Sequence, residues 1–142
     1  MSRKILIVDD EPDIHEILKV YLEKIKNVEV ISAYSGEEAV KIYEELYNKN
    51  NEPALVVMDL NLTGKDDIRI IDEHREGRDK KMDGVRTAEA ILKINPNATI
   101  WGYTAWFGTE WAERLKRLGA KRIFGRTTPF KDFANMVAKF LG

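Results

Sequence analysis

The stretch ALVVMDLNLTG, residues 54–64, decides how the chain is read. Ala54 to Met58 is a short apolar run with two adjacent valines, and it ends in a carboxylate, Asp59, and a polar turn closed by Gly64. A run of this kind, bounded by turn signals, reads as a strand buried on both faces. Such strands belong to parallel sheets covered by helices on each side. An acid at the carboxyl end of one stands where open α/β sheets bind their ligands.

Working outward, the same pattern recurs. KILIV (4–8) is a second buried-type run and ends in Asp9 and Asp10. Pro12 then opens a helix in its first turn, where the missing N–H costs little. Ile14, Ile17, Leu18, Tyr21, Leu22 and Ile25 give that helix an apolar stripe, which leaves His15 on its polar side as a surface residue. VEVISA (28–33) carries a charge, Glu29, and suits a sheet edge. Ser35 and Glu38 form a capping-box pair that opens a second helix, with Ala39, Ile42, Tyr43 and Leu46 inward.

Downstream, Val85, Ala88, Ile91 and Leu92 mark a third helix closed by Asn95-Pro96. Thr99 to Tyr103 reads as a fourth strand ending at Thr104. Trp111, Leu115 and Leu118 mark a fourth helix stopped by Gly119. Lys121 to Gly125 holds a fifth strand that ends at Arg126. Pro129 precedes a last helix carrying Phe130, Phe133, Ala134, Val137 and Leu141. Strand and helix therefore alternate throughout, and right-handed crossovers bring every strand's carboxyl end to one edge of a doubly wound parallel sheet.

One stretch breaks the pattern. Residues 64–81 mix charges of both signs around the apolar island Ile68, Ile70 and Ile71 and include His74. The stretch is too long for a plain connection in a compact domain, where about 4–6 residues are usual. It reads as a charged insertion in a single domain spanning 1–142: a solvated loop, or a lid or docking arm beside Asp59.

Bulk composition narrows the function classes. A net charge of −1 gives no argument for nucleic acid or an anionic membrane as partner. The chain has no cysteine, so disulfides and thiolate metal sites are excluded. No apolar run approaches membrane-span length, and a cytoplasmic location is expected. No G-x-G-x-x-G or P-loop pattern follows any strand.

The strand ends then carry the chemistry: Asp9 and Asp10, Asp59, Thr104 and Arg126. Three carboxylates gathered in a partly dry site repel one another. A divalent cation relieves that repulsion, and hard oxygen donors without His or Cys favour Mg²⁺. A cation, a hydroxyl and a guanidinium around Asp59 make it a candidate nucleophile toward phosphorus.

On these residues the chain resembles the receiver domain of two-component response regulators, the CheY-like (βα)5 fold. The resemblance rests on IVDDEPD (7–13), MDLNLTG (58–64), MDG (82–84), YTA (103–105) and GAKRIFGR…PF (119–130). It implies that Asp59 is the phosphoacceptor, and that Asp9, Asp10, Asp59 and the backbone carbonyl of Asn61 bind Mg²⁺. Thr104 would contact the phosphoryl group, and the small Ala105 would leave room for it. Counting from Gly119-Ala120 places the family's phosphate-contacting Lys on Arg126; counting back from Pro129 places it on Thr128. The family's aromatic switch position falls on Ile123, which cannot act in that way. Trp106 and Phe107, in the loop after Thr104, are candidates for a partner surface, and the bulk of Trp106 is expected to slow hydrolysis of the acyl phosphate.

The implied partners are a histidine kinase or phosphotransfer protein and an output protein, with a homodimer possible and no nucleic acid or membrane contacted directly. The implied activity is self-phosphorylation and slow self-dephosphorylation rather than turnover. Subtracting the insertion leaves one receiver's length of chain, so either a single-domain regulator or a piece of a larger one is expected. The competing reading is a pseudo-receiver that docks or dimerises without phosphorylation. A haloacid-dehalogenase-type phosphohydrolase is disfavoured, because the position two residues after Asp59 is Asn61 and not a second Asp.

Overall fold

The computed structural model describes residues 3–62 and 82–142. Expectations for the insertion, including the Ile68 to Ile71 island and His74, lie outside the described residues. The elements run β1 (Arg3–Val8), α1 (Pro12–Leu22), β2 (Val28–Ala33), α2 (Gly36–Asn48) and β3 (Leu55–Met58). They continue through α3 (Gly84–Ile94), β4 (Ile100–Thr104), α4 (Glu110–Leu118), β5 (Arg122–Gly125) and α5 (Phe130–Leu141). All strand pairs are parallel, in the order β2-β1-β3-β4-β5, so β3 is internal and β2 and β5 form the edges. This is the doubly wound α/β architecture expected from the alternation of runs.

Side chains alternate across the sheet with the period of two that strands impose. Leu6, Val8, Val56, Met58 and Ile100 face one layer, where they pack with residues of α2, α3 and α4. Ile5, Ile7, Leu55, Val57, Trp101 and Tyr103 face the other, with α1 and α5. Every residue of β3 is buried, as its apolar run requires. Each such side chain contributes about 1.5–3 kcal/mol of transfer free energy. Among the described residues no helix is long and apolar enough to cross a membrane.

Local signals mostly act as read. Ser35 Oγ accepts from the Glu38 N–H at 3.1 Å, but the Glu38 carboxylate reaches back to the Tyr34 N–H, one residue earlier than a capping box places it. Gly119 ends α4 with φ +142°, where a Cβ would be strained.

The first helix requires a correction. His15 is not on the surface but 3% exposed, and Ile17 is 39% exposed. The inward face of α1 is centred on His15, Leu18 and Leu22, and Ile17 falls off its margin. The imidazole is admitted because both ring nitrogens are partnered. Nε2 donates to the Asp9 carbonyl at 2.7 Å, and Nδ1 accepts from Ser32 Oγ at 2.9 Å. A buried polar group so satisfied costs little.

One glycine fixes the packing of α3 against the end of β3. A Cβ on Gly84 would stand 2.1 Å from the Asp59 carbonyl oxygen and 2.9 Å from Leu60 Cα. The Gly84 N–H also donates to the Leu60 carbonyl at 2.9 Å. Backbone cannot yield as a side-chain tip does. Gly84→Ala is therefore expected to cost about 1–3 kcal/mol in urea unfolding; a loss under a few tenths would show that this approach does not constrain the fold.

Candidate functional site

The sheet order reverses between β1 and β3, and the cleft at their carboxyl ends collects the acids. Asp9 and Asp10 follow β1, and Asp59 follows β3. Carboxylate oxygens of the three lie within 4.8 Å of one another. Asp9 is buried, and its Oδ1 accepts from the Glu11 N–H at 2.9 Å. Asp59 Oδ1 accepts from the Leu60 N–H at 2.8 Å. Asn61, two residues on, is also buried.

Arg126 closes the cleft from the β5 side. Its Nη2 donates to Asp9 Oδ2 at 2.5 Å and to the Tyr103 carbonyl at 3.0 Å, and lies 3.9 Å from Asp59 Oδ2. Its guanidinium stands over the Tyr103 ring, 4.9 Å from the centroid. The buried Nε–H has no acceptor among the described residues. Of the two candidates for the cationic position, Arg126 is the one in the cleft. Its backbone N–H donates to the Thr104 carbonyl at 3.1 Å, which extends the β4–β5 ladder by one residue. Thr128 turns toward α5, where its carbonyl accepts from the Tyr103 hydroxyl at 2.5 Å.

Thr104 ends β4 wholly buried, with its hydroxyl beside the Asp59 carboxylate, whose charged form it favours. The same oxygen accepts from the Trp106 N–H at 3.1 Å. Ala105 is exposed beside it. Burial first, then the Asp9 charge, push the Asp59 carboxyl up from 3.8 to about 7, against the opposing pull of Arg126 and the hydrogen bonds from Thr104 and Leu60.

The remaining candidates lie outside this first ring of contacts. Ile123 is half-buried on β5 and packs on the α2–α3–α4 layer. Trp106 is half-buried against Trp111, with ring centroids 5.7 Å apart, and Phe107 is exposed. Two residues support the site in a way the sequence reading does not assign to them. His15 holds the backbone of Asp9. Asp83, fully buried, accepts from the Arg86 N–H through Oδ1 and from Trp111 Nε1 through Oδ2, which ties the start of α3 to α4. The signals available were the spacing of His15 to Leu18 and Leu22, and the position of Asp83 as the N-cap of α3.

The model of the response regulator receiver domain matches residues 5–80, just over half of the chain. The chain belongs to that family. A CheY-like receiver domain protein of Methanospirillum hungatei JF-1 is 21% identical, with a TM-score of 0.76 over 99% of this chain and 94% of that one. A LuxR-family two-component response regulator of Aurantimonas sp. SI85-9A1 is 22% identical, with a TM-score of 0.74 over 99% of this chain and 86% of that one. CheY of Borrelia burgdorferi, solved in a CheX–CheY–BeF3–Mg complex, is 20% identical at TM-score 0.72, over 99% and 90%. At these identities the likeness establishes the receiver fold. The family match stops at residue 80, whereas the shared fold runs on through α5.

The donor chemistry fits the Mg²⁺ that receiver domains take up. Three carboxylates crowd together, and the one carrying the raised pKa is the one a cation would relieve. In the metal-free protein the sign of the pH effect follows from the same shift. A carboxyl that keeps its proton to about 7 when folded, but only to 3.8 when unfolded, stabilises fully below 3.8 and loses that contribution as pH rises through 7. In EDTA, Asp59→Asn is expected to raise Tm more at about pH 8 than at about pH 5. A gain that is equal at both would contradict the shift.

Proposed function

We propose that this receiver domain accepts a phosphoryl group on Asp59 from the phosphohistidine of a histidine kinase or phosphotransfer protein, and changes its affinity for an output partner in response. The observation that carries this reading is Asp59 itself. It is the carboxylate that shares its cleft with two further acids, a donated hydroxyl and an arginine only 3.9 Å away.

In the transfer, an Asp59 carboxylate oxygen attacks phosphorus. The O–P bond forms as the P–N bond to the donor imidazole breaks, and the leaving nitrogen takes up a proton. Hydrolysis breaks the new O–P bond: water attacks phosphorus and gives up its protons, the Asp59 carboxylate leaves, and inorganic phosphate is the product. Asp9, Asp10, Asp59 and the Asn61 carbonyl would hold Mg²⁺, which when bound offsets the charge of the phosphoryl oxygens.

This chain's own groups do the rest. Thr104 presents a hydroxyl beside Asp59 and turns it to a phosphoryl oxygen, with Ala105 leaving space. Arg126 brings a buried Nε–H that lacks an acceptor among the described residues, and a phosphoryl oxygen supplies one. Its fork can hold two oxygens where a lysine holds one. Trp106 shields the acyl phosphate from water. The chain acts as one cytoplasmic receiver domain, able to pair with a second copy.

A second reading has a specific observation in its favour. The 2.5 Å contact of Arg126 with Asp9 supplies an internal cation to the acids, as a metal-independent pseudo-receiver would need.

Incubation with Mg²⁺ and acetyl phosphate separates the two. A mass gain of one phosphoryl group, absent in Asp59→Asn, is the expected result. Arg126→Ala is expected to slow the gain by about 10²-fold, as loss of a transition-state donor does. Unmodified wild-type mass would favour the docking module. Faster loss of the phosphoryl group in Trp106→Ala is expected, and an unchanged hydrolysis rate would remove Trp106 from the account.

A further inference from the structure

The amino ends of β4 and β5 lie at the opposite sheet edge from the acids, and a cavity of about 550 Å³ opens there against the second half of α5. That volume falls within the range of small-molecule pockets, about 300–1,000 Å³. Trp101, only 2% exposed, forms the floor, packed by the Phe124 and Phe133 rings at centroid distances of 5.7 and 6.2 Å. Met136 and Phe140 supply the α5 wall. The Phe140 ring stands 5.1 Å from that of Trp101 and is still 46% exposed. A ring so placed offers an apolar face that a second ring can cover.

The rim is cationic. Lys121, Arg122 and Lys139 line the cavity, and no acid does. Among the described residues no carboxylate forms an ion pair with any of the three. Arg122 is nonetheless held in place. Its guanidinium stands 5.2 Å from the Trp101 ring centroid and 4.7 Å from that of Phe124, and its Nη2 meets the Met136 sulfur at 3.8 Å. Ring faces and a thioether orient a guanidinium while leaving its strong, charge-assisted hydrogen bonds unmade. Lys121 is pinned at the strand end, where its N–H donates to the Ile100 carbonyl at 2.8 Å.

We propose that this cavity binds a small anionic aromatic molecule. Its ring lies against Phe140 and Trp101, and its carboxylate or phosphate is held by Arg122 with Lys121 and Lys139. Three like charges on one rim repel one another, and a bound anion relieves that repulsion. The guanidinium fork takes two oxygens of either anion. The site stands at the far edge of the sheet from Asp59, so its occupancy does not depend on phosphoryl transfer.

The full chain, labelled at its four methionine methyls, is titrated with 2-naphthoate and with 2-naphthyl phosphate, and neutral 2-naphthamide is the control. Met136 reports on the cavity, while Met58, buried in β3, and Met82, ahead of α3, report on the rest of the fold. The expected result is a saturable shift of the Met136 resonance by at least one anion, with Met58 and Met82 unmoved. Half-saturation is expected below about 1 mM for ligands of this size. The tighter anion identifies the class, carboxylate or phosphate. Naphthamide in the wild type, and both anions in Arg122→Gln, are expected to bind about tenfold more weakly. The double variant Lys121→Gln, Lys139→Gln, which leaves the Arg122 packing untouched, is expected to show the same loss, and an unchanged Met58 resonance verifies the fold of each variant. The proposal is overturned by the absence of a saturable Met136 shift with either anion, by naphthamide binding as tightly as the anions, or by undiminished affinity in either folded variant.

Discussion

Everything at the functional end of this fold depends on the crowding of three carboxylates at one sheet edge. Asp9, Asp10 and Asp59 arrive there because β1 and β3 are neighbours in a parallel sheet and end level with each other. Their mutual repulsion must be offset, and Arg126 offsets it at Asp9 and Asp59. Its bond to Asp9 is charge-assisted and largely screened from water, the setting in which such bonds are strong. The compensation is incomplete, because Asp59 still holds its proton up to about 7. A cleft left with that residual strain has a built-in appetite for a cation.

The surrounding structure serves to hold the acids in place. His15 fixes the Asp9 carbonyl from α1, and Gly84 lets α3 close against the Asp59 backbone. Asp83 then couples α3 to α4 through Trp111, and Trp111 supports the turn that Thr104 controls. Short covalent and hydrogen-bonded links thus connect the surroundings of Asp59 with the starts of α3 and α4.

Much of this was legible in the sequence, for a physical reason. Buried parallel strands are continuous apolar runs, so KILIV and ALVVM announced themselves, and their terminal acids followed from topology alone. The edge position of β2 was visible in Glu29. His15 was misplaced because Ile17 and Leu18 are adjacent, and the stripe can be phased on either. Only the hydrogen bonds to Asp9 and Ser32 show why an imidazole is tolerated inside. The choice between Arg126 and Thr128 was undecidable by counting, since two residues intervene before Pro129. It depends on how far the β4–β5 ladder extends, which is a property of the backbone and not of residue type.

The central claim is that Asp59, its carboxyl pushed up to about 7 by burial and the Asp9 charge, gives up its proton when a cation arrives. The most direct measurement is calorimetric titration of the wild type with Mg²⁺ near neutral pH, in two buffers that differ in ionisation enthalpy. Because metal ligands must shed their protons, binding is predicted to release protons to the buffer. The release should be absent in Asp59→Asn. Mg²⁺ binding without proton release in the wild type, or no binding at all, would contradict the account.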